Sequence, residues 1–550
     1  MSGPKGRIRY FVEVTSGFSD LLCAPRPRNP EELIRTGLEN REEHFLDLAR
    51  RVIFSNPANP YRQMFHIAGC EYGDLAAAVS RDGLEAALAA LHRNGVYLAH
   101  DEFKLKMPIV RSNQTIAADK DSFRNPLTSG GITGWSGGSR SAGTKSQINA
   151  EAYVYREAYD KLMIEEFGLA GRRLVLVKPM LPAIDGMANF VRAARLGCTL
   201  DRWYSPIGRS ADSTHYRLAT YSLVALARLH GVRLPFPTDL PVNDFSPVAR
   251  WIAQRRREGI ACTVMAYASP ATRVAAAAAE QGLSIEGAEF LVGGETLTDG
   301  KRDAIESTGA RVFPRYSITE FGAIGHSCRQ MTSGDCVHVF TDSVAVIAHR
   351  RSAPFSDAPL DSLLFTSLQL HSPNVLINVE MDDAGVPGRA GCDCSFTRLG
   401  FTTVVRDINS FGKITGHGVT LAGTEVLRIL EQTLPARFGG FATDYQLVES
   451  DGADQARFIL HVARRVKLSS IAEVKHFFLH QLRDCYGGQI ASRLWRDADA
   501  FEVVHQDPIL TGRGKILSLH LLGPGARAVS THESQVVSNH ESQRVSNHDS

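Results

Sequence analysis

Between Arg172 and Tyr316 short apolar runs alternate with helical stretches, and no other feature restricts the fold of this chain as much. "RRLVLVKP" and "ACTVMAYAS" read as strands, and "PATRVAAAAAEQGL" reads as a helix closed by Gly282. "AEFLVGGETL" then reads as strand and turn, "TDGKRDAIESTG" as a helix ending at Gly309, and "ARVFPRY" as another strand. Strand–helix–strand at this spacing implies parallel pairing and an α/β domain. In such sheets ligands collect at the loops beyond the carboxyl ends of the strands.

A chain of 550 residues is too long for one compact core, so two or more domains are expected. From about Glu31 to Ala99 apolar residues recur at three- and four-residue spacing, the helical pattern. After Arg406 the composition shifts. "INSFGKITGHG" is rich in turn formers and precedes an amphipathic helix, "TEVLRILEQTLP". "TDYQLVES", "ARFILHVARRV" and the helix "IAEVKHFFLHQLRD" then suggest a small α+β unit. The fold class expected is therefore α/β. A large N-terminal domain with parallel and mixed sheets and helices spans 1–408, and a small mobile α+β domain spans 409–525. A hinge falls near Ile408 to Gly412. The closing repeat "STHESQVV", "SNHESQRV", "SNHDS" can bury no core, so 526–550 is expected to be a disordered tail.

A net charge of +2 gives no electrostatic reason to expect nucleic acid or an anionic membrane as partner. No apolar run reaches the roughly 20 residues needed to cross a bilayer, and the N-terminus lacks a secretory h-region. A cytoplasmic protein is expected. Nine cysteines over this length are not a disulfide framework. Cys23, Cys70, Cys198, Cys262 and Cys485 stand alone and read as small buried apolar side chains.

Four local signals carry chemistry. "TSGGITGWSGGSRSAGT", Thr128 to Thr144, is either a flexible linker or a loop whose backbone N–H groups and hydroxyls close on phosphate. It is not the G-x-x-x-x-G-K-[ST] loop, because no lysine follows a glycine at that spacing. In "LVGGETL" the pair Gly293–Gly294 ends a strand and allows a flat ligand to approach the backbone. "RYSITEFG" presents an aromatic ring, two hydroxyls and a carboxylate that can hold Mg²⁺ on a nucleotide phosphate. "PILTGRGKILSL" places Lys515 in a glycine-bracketed turn, from which a cation can reach a phosphate held by another domain.

Taken in order, these stretches resemble the adenylate-forming superfamily of acyl-CoA synthetases, luciferases and peptide-synthetase adenylation domains. "TSGGITG" is similar to that family's phosphate loop, T-S-G-[ST]-T-G, and "VGGETL" with "RYSITEFG" to its adenine segment and Y-G-x-T-E motif. "NVEMDDAG" stands where the family keeps its ribose-binding Asp, and "LTGRGK" matches its catalytic-lysine motif. The resemblance runs from about Asp101 to Leu522. Within the superfamily the chain most resembles the phenylacetate–CoA ligase group, through "GGETLTDGKRDAIESTGARVFPRYSITEFG" and a following C…H…C-x-C layout. Cys328, His338, Cys392 and Cys394 form a set suited to tetrahedral Zn²⁺, with Cys336 a competing ligand. Members of that ligase group can carry such a structural zinc.

The resemblance implies ATP-dependent activation of a small organic or aryl acid to an acyl-adenylate, with release of pyrophosphate. Acyl transfer follows, to coenzyme A or, alternatively, to an amine or carrier protein. Lys515 would bridge carboxylate and α-phosphate, and Glu320 would position Mg²⁺. Thr128, Ser129, Gly130, Gly131, Thr133 and Gly134 would hold phosphates. Gly293, Gly294, Glu295, Tyr316, Ser317 and Thr319 would line the adenine side, with Asp383 and Arg406 at the ribose and hinge. The sequence departs from the family in places. "TSGGITG" has one residue more than the family loop, and "WSGGSR" replaces the usual proline–lysine pair, leaving Arg140 or Lys145 to supply the charge. The ribose acid is Asp382 or Asp383, with counting in favour of Asp383. Asn409 stands near the place of the hinge acid. These departures keep open a non-catalytic nucleotide-binding homologue. The segment from Lys178 to Gly208 is expected to line the acid pocket.

Overall fold

The computed structural model describes residues 4–128, 132–135, 145–181, 183, 185–206, 214–242, 244–331, 335–352, 359–410, 414–416, 419–421, 423–451, 456–483, 501–511 and 514–522. Twelve strands form one sheet. In chain order they are β1 Arg173–Val177, β2 Thr199–Ser205, β3 Pro237–Asp239, β4 Cys262–Ala266, β5 Glu289–Gly293 and β6 Arg311–Ile318. Then come β7 Gly322–His326, β8 Val337–Val339, β9 Val344–Ser352, β10 Pro359–Ser367, β11 Val379–Arg389 and β12 Thr403–Ser410. The order across the sheet is β9-β10-β11-β12-β8-β7-β6-β5-β4-β1-β2-β3.

The half from β6 to β3 is entirely parallel. Its central strands β1, β4 and β5 are nearly continuous apolar runs because both of their faces are covered. Leu174 and Leu176 enter one core, with Trp203, Leu291 and Phe313. Val175 and Val177, pointing the other way, enter a second core with Val264, Phe290 and the alanine-rich helix Ala268–Glu280. The other half is antiparallel, joined through the β6–β7 hairpin. The sheet is thus mixed α/β, and the parallel pairing expected from the strand–helix alternation is present between Arg173 and Ile318.

The helices expected between Glu31 and Ala99 occur as several short ones, including Pro30–Glu39, Tyr72–Asp82 and Leu84–Arg93. A second, four-stranded sheet contains β13 Tyr445–Asp451, β14 Ala456–Val462, β15 Phe501–Val504 and β16 Leu519–Leu522, with the helix Ile471–Leu482. Its core is made only from residues between Phe438 and Leu519 plus Val426, Ile429, Leu430 and Leu434. None of the apolar clusters among the described residues mixes side chains from this unit with those of the large sheet. The tail 526–550 lies outside the described residues, as do residues 411–412 of the expected hinge.

Two of the solitary cysteines depart from expectation. Cys23 is exposed and Cys70 only half-buried, whereas Cys198 and Cys262 are buried. Cys23 ends the first helix, where its thiol faces the His230 ring at 3.9 Å on the surface. Cys485 lies outside the described residues. No helix among the described residues is long and apolar enough to cross a membrane.

Candidate functional site

The chain leaves β1 toward β2 on one side and returns to β4 on the other. Such a reversal opens a crevice at the carboxyl ends of the two strands. Lys178 follows β1 and Tyr267 follows β4, and the Lys178 ammonium lies 4.7 Å from the Tyr267 ring centre. The Lys515 ammonium, from the small unit, lies 4.4 Å from the same ring. It also donates a hydrogen bond to the Gly294 carbonyl. Gly294 has φ +77, and a Cβ there would stand 3.1 Å from the Tyr267 ring and 3.4 Å from the Lys515 ammonium. Glycine is therefore required both by the backbone and by the close approach.

The turn that presents Lys515 is held locally. The Gly514 N–H bonds the Thr511 carbonyl at 2.8 Å, and the Lys515 N–H bonds the Thr511 hydroxyl at 3.1 Å. Glu295, next to Gly294, accepts from the Ser269 N–H at 3.2 Å and the Ser269 hydroxyl at 2.9 Å. A carboxylate at the start of the helix Ala268–Glu280 complements its dipole. Burial raises the Glu295 carboxyl, and the nearby Lys515 and Lys301 charges oppose that rise. The Ser269 hydroxyl in turn accepts the Ile516 N–H at 3.0 Å, tying the small unit to the helix start.

Asp382 and Asp383 turn to different partners. The Tyr316 hydroxyl donates to Asp383 at 2.6 Å, and the Ser410 hydroxyl donates to its other oxygen at 2.6 Å. Burial, then the Asp383 charge, pushes the Tyr316 hydroxyl well up. Asp382, in the left-handed region at φ +63, instead faces His100 at 3.3 Å. Ser317 sits at an irregularity in the β6–β7 ladder, immediately after Tyr316. Arg406 does not join this group. It pairs with Val386, is exposed, and lies down the strand from Ser410.

Glu320 is buried at 4% exposure and paired with Lys104 at 2.6 Å, a cation that no sequence motif singles out. Asn374 donates to the Glu320 carbonyl at 2.7 Å. The segment Leu370–Asn374 also fastens both feet of the glycine-rich loop. Asn125 donates to the Leu370 and Ser372 carbonyls at 2.7 and 2.8 Å, and Asn149 donates to the His371 carbonyl at 2.9 Å. Asn125 and Asn149, on either side of the loop, are therefore both anchored to the segment that also holds the Glu320 backbone. Thr128 donates its hydroxyl to the Asn125 carbonyl at 3.0 Å. Thr133 and Gly134 lie in the hairpin of Ile132–Trp135 with Lys145–Ile148. Ser129, Gly130, Gly131 and Arg140 lie outside the described residues.

A second constellation stands apart from the crevice. One ligand atom each from Cys328, His338, Cys392 and Cys394 lies within 4.8 Å of the others. His338 Nε2 is 3.4 Å from the Cys392 sulfur and 3.2 Å from that of Cys394. Nδ1 lies 2.8 Å from the Phe401 carbonyl, a contact that places the proton there and leaves the Nε2 lone pair for the cluster. Hydrogen bonding to Cys328 and His338 lowers the Cys394 thiol, while the bond to Cys394 raises Cys328. Cys336, left open by the spacing, is not in the cluster. Three thiol groups and one imidazole nitrogen at this separation fit a tetrahedral soft divalent metal, closed by protein on all four corners.

No protein-family model matches the chain, and no curated protein does. Solved structures match at low similarity. A 2-hydroxyisobutyryl-CoA ligase in complex with 2-HIB-AMP and CoA is 14% identical, with a TM-score of 0.44, over 92% of this chain and 91% of that one. The McyG A-PCP protein complexed with phenylalanyl-adenylate is 9% identical, with a TM-score of 0.39, over 74% and 66%. Likeness at these values assigns neither a substrate nor an acceptor to this chain.

Proposed function

We propose that the chain is an adenylate-forming ligase. It joins a carboxylic acid to ATP, giving acyl-adenylate and pyrophosphate, and then passes the acyl group to the thiol of coenzyme A with release of AMP. The observation that carries the reading is the meeting of Lys515 with Gly294 and Tyr267 at the carboxyl ends of parallel strands. Two of the stretches that carry the resemblance to adenylate-forming enzymes, more than two hundred residues apart in sequence, meet there.

Both substrates of the first step are anions. A cation held at a fixed place in a crevice shielded by Tyr267 offsets their repulsion and stabilises charge developing at the α-phosphate. Lys515 has that role. The anchored loop Thr128–Gly134 holds the β- and γ-phosphates, and the Tyr316–Asp383–Ser410 group receives the ribose hydroxyls. Glu320 would hold Mg²⁺, which supplies charge neutralisation on the phosphates; the carboxylate would then be shared with or released by Lys104. Cys328, His338, Cys392 and Cys394 would hold a structural Zn²⁺. The motif pattern makes aryl acids of the phenylacetate type the first substrates to try.

Acid-dependent exchange of pyrophosphate into ATP, across a panel of aryl and aliphatic acids, tests the reading. One class of acid should switch exchange on, and Lys515→Ala should reduce it by about 10²–10³-fold. Absence of exchange with every acid, in protein that binds ATP, would refute it.

A further inference from the structure

Arg156 is a charged side chain to which the crevice around Lys515 gives no role. It lies on the helix Ala150–Glu166, which begins where the glycine-rich hairpin ends, with Asn149 capping through the Ala152 N–H at 2.8 Å. Tyr155 beside it stacks on His371 at 4.2 Å, so the first turns of the helix are fixed to the segment that anchors the loop and Glu320. Long helical side chains lean toward the helix N-terminus, which here is the side of the hairpin. The guanidinium reaches Gly322, two residues beyond Glu320. A Cβ at Gly322 would come within 3.1 Å of the Arg156 Cζ. Gly322 also has φ +98, so the position is reserved for glycine twice over.

Charge at this corner is unbalanced. The acid whose charge acts on Arg156, Asp160, is one turn along the helix, and it is already committed to Arg192 at 2.5 Å and Arg315 at 3.2 Å. Two guanidinium groups thus already occupy that carboxylate. Among the described residues no hydrogen bond or ion pair to Arg156 is formed, and Asp160 acts on it only through space. His326 and His371 add no further positive charge, since burial pushes both imidazoles down and keeps them neutral. Burial, then the Arg192 charge, lowers Arg156 to about 10, so it stays cationic at neutral pH. A half-buried cation without a carboxylate is tolerated where an anionic ligand completes it.

We propose that Arg156 binds the triphosphate of the nucleotide and supplies the positive charge that the glycine-rich loop, with no P-loop lysine, lacks. The inference rests on the adenylation reading. It identifies the phosphate contact as a residue on the helix after the loop, rather than Arg140 or Lys145 within or beside the loop. A planar guanidinium can grip a phosphate through two parallel N–H groups, which a lysine cannot do.

Calorimetric titration of the full chain with ATP, inorganic tripolyphosphate and adenosine tests it, using Arg156→Gln and Arg156→Lys. Arg156→Gln should weaken ATP and tripolyphosphate by about 10- to 100-fold and leave adenosine unchanged. Arg156→Lys should recover part of the loss. The melting temperature of Arg156→Gln should be equal to or above that of the wild type, since a cation lacking a carboxylate has been removed. Unchanged ATP affinity in Arg156→Gln, or equal weakening of ATP and adenosine, would overturn the assignment. So would a melting temperature lowered by Gln and restored by Lys with no change in phosphate binding. Wild-type protein that binds neither ATP nor tripolyphosphate would overturn the adenylation reading along with it.

Discussion

The cysteine–histidine corner and the seam beneath Lys515 are both built from polar side chains drawn out of distant segments, yet they are closed in opposite ways. All four side chains of the corner belong to the large sheet and its connections. They are packed round by rings, with His338 against Phe396 at 5.4 Å and Phe396 against Phe340 at 6.3 Å. The seam has side chains from two units and no apolar cluster spanning it among the described residues. It is held by hydrogen bonds and ion pairs: Lys515 to Gly294, Ile516 to Ser269 at 3.0 Å, and Arg465 to Glu280 at 2.7 Å. At its centre Glu431 receives the Thr298 hydroxyl, the Ser518 hydroxyl at 2.5 Å and the Lys301 ammonium at 3.4 Å. Apolar packing and a closed ligand set resist opening together. A few directional polar bonds can be exchanged for water at small net cost, so the seam is the easier of the two to open.

The largest effect that would sharpen this contrast is metal removal. Stripping the corner with a chelator, or Cys394→Ser, should eliminate about 10 kcal/mol of local folding energy. Elemental analysis should show one zinc per chain before and none after, with a marked fall in melting temperature. Purified protein without metal and indifferent to chelation would place the corner among ordinary buried thiols. A smaller effect is expected at the seam. Glu431→Ala leaves the buried Lys301 and two hydroxyls without their acceptor, a loss on the order of 3–5 kcal/mol for a broken buried pair. Hydrogen exchange should then rise along both faces of the seam while the large sheet keeps its protection. Equal loss across the whole chain would mean that the seam is part of one cooperative core. The smallest effect is expected from Gly294→Ala, which forces a side chain into a left-handed backbone at about 1–2 kcal/mol. Pyrophosphate exchange should drop more than stability does, because the new methyl sits between Tyr267 and Lys515. Unaltered exchange would show that this turn does not position the lysine.

Much of the large unit was legible because a buried parallel strand writes itself as an uninterrupted apolar run. "LVLV", "CTVMA" and "EFLVG" need both faces covered, and helices of matching spacing lie between them. The turn at Lys515 was legible for a similar reason, since Thr511 and Gly514 act within a few residues of one another. Lys104, Arg156 and Glu431 were not legible. Each is one charged residue among many on a helix or its end, and nothing local distinguishes a lysine bound to Glu320 from one in water. The exclusion of Cys336 was equally hidden, because two cysteines near one histidine differ only in which way the strand turns them.

Sequence alone determined the periodicities and the order of the chemical groups along the chain, since both depend on neighbours within a few residues. Tertiary structure decided which groups meet. It joined the parallel and antiparallel halves into one sheet through the β6–β7 hairpin, turned Asp383 rather than Asp382 toward Tyr316, and set Arg192 and Arg315 on Asp160. The reason is physical. The energy of a buried charge or hydrogen bond depends on distance and on the exclusion of water, and both arise only when segments far apart in the chain are packed together.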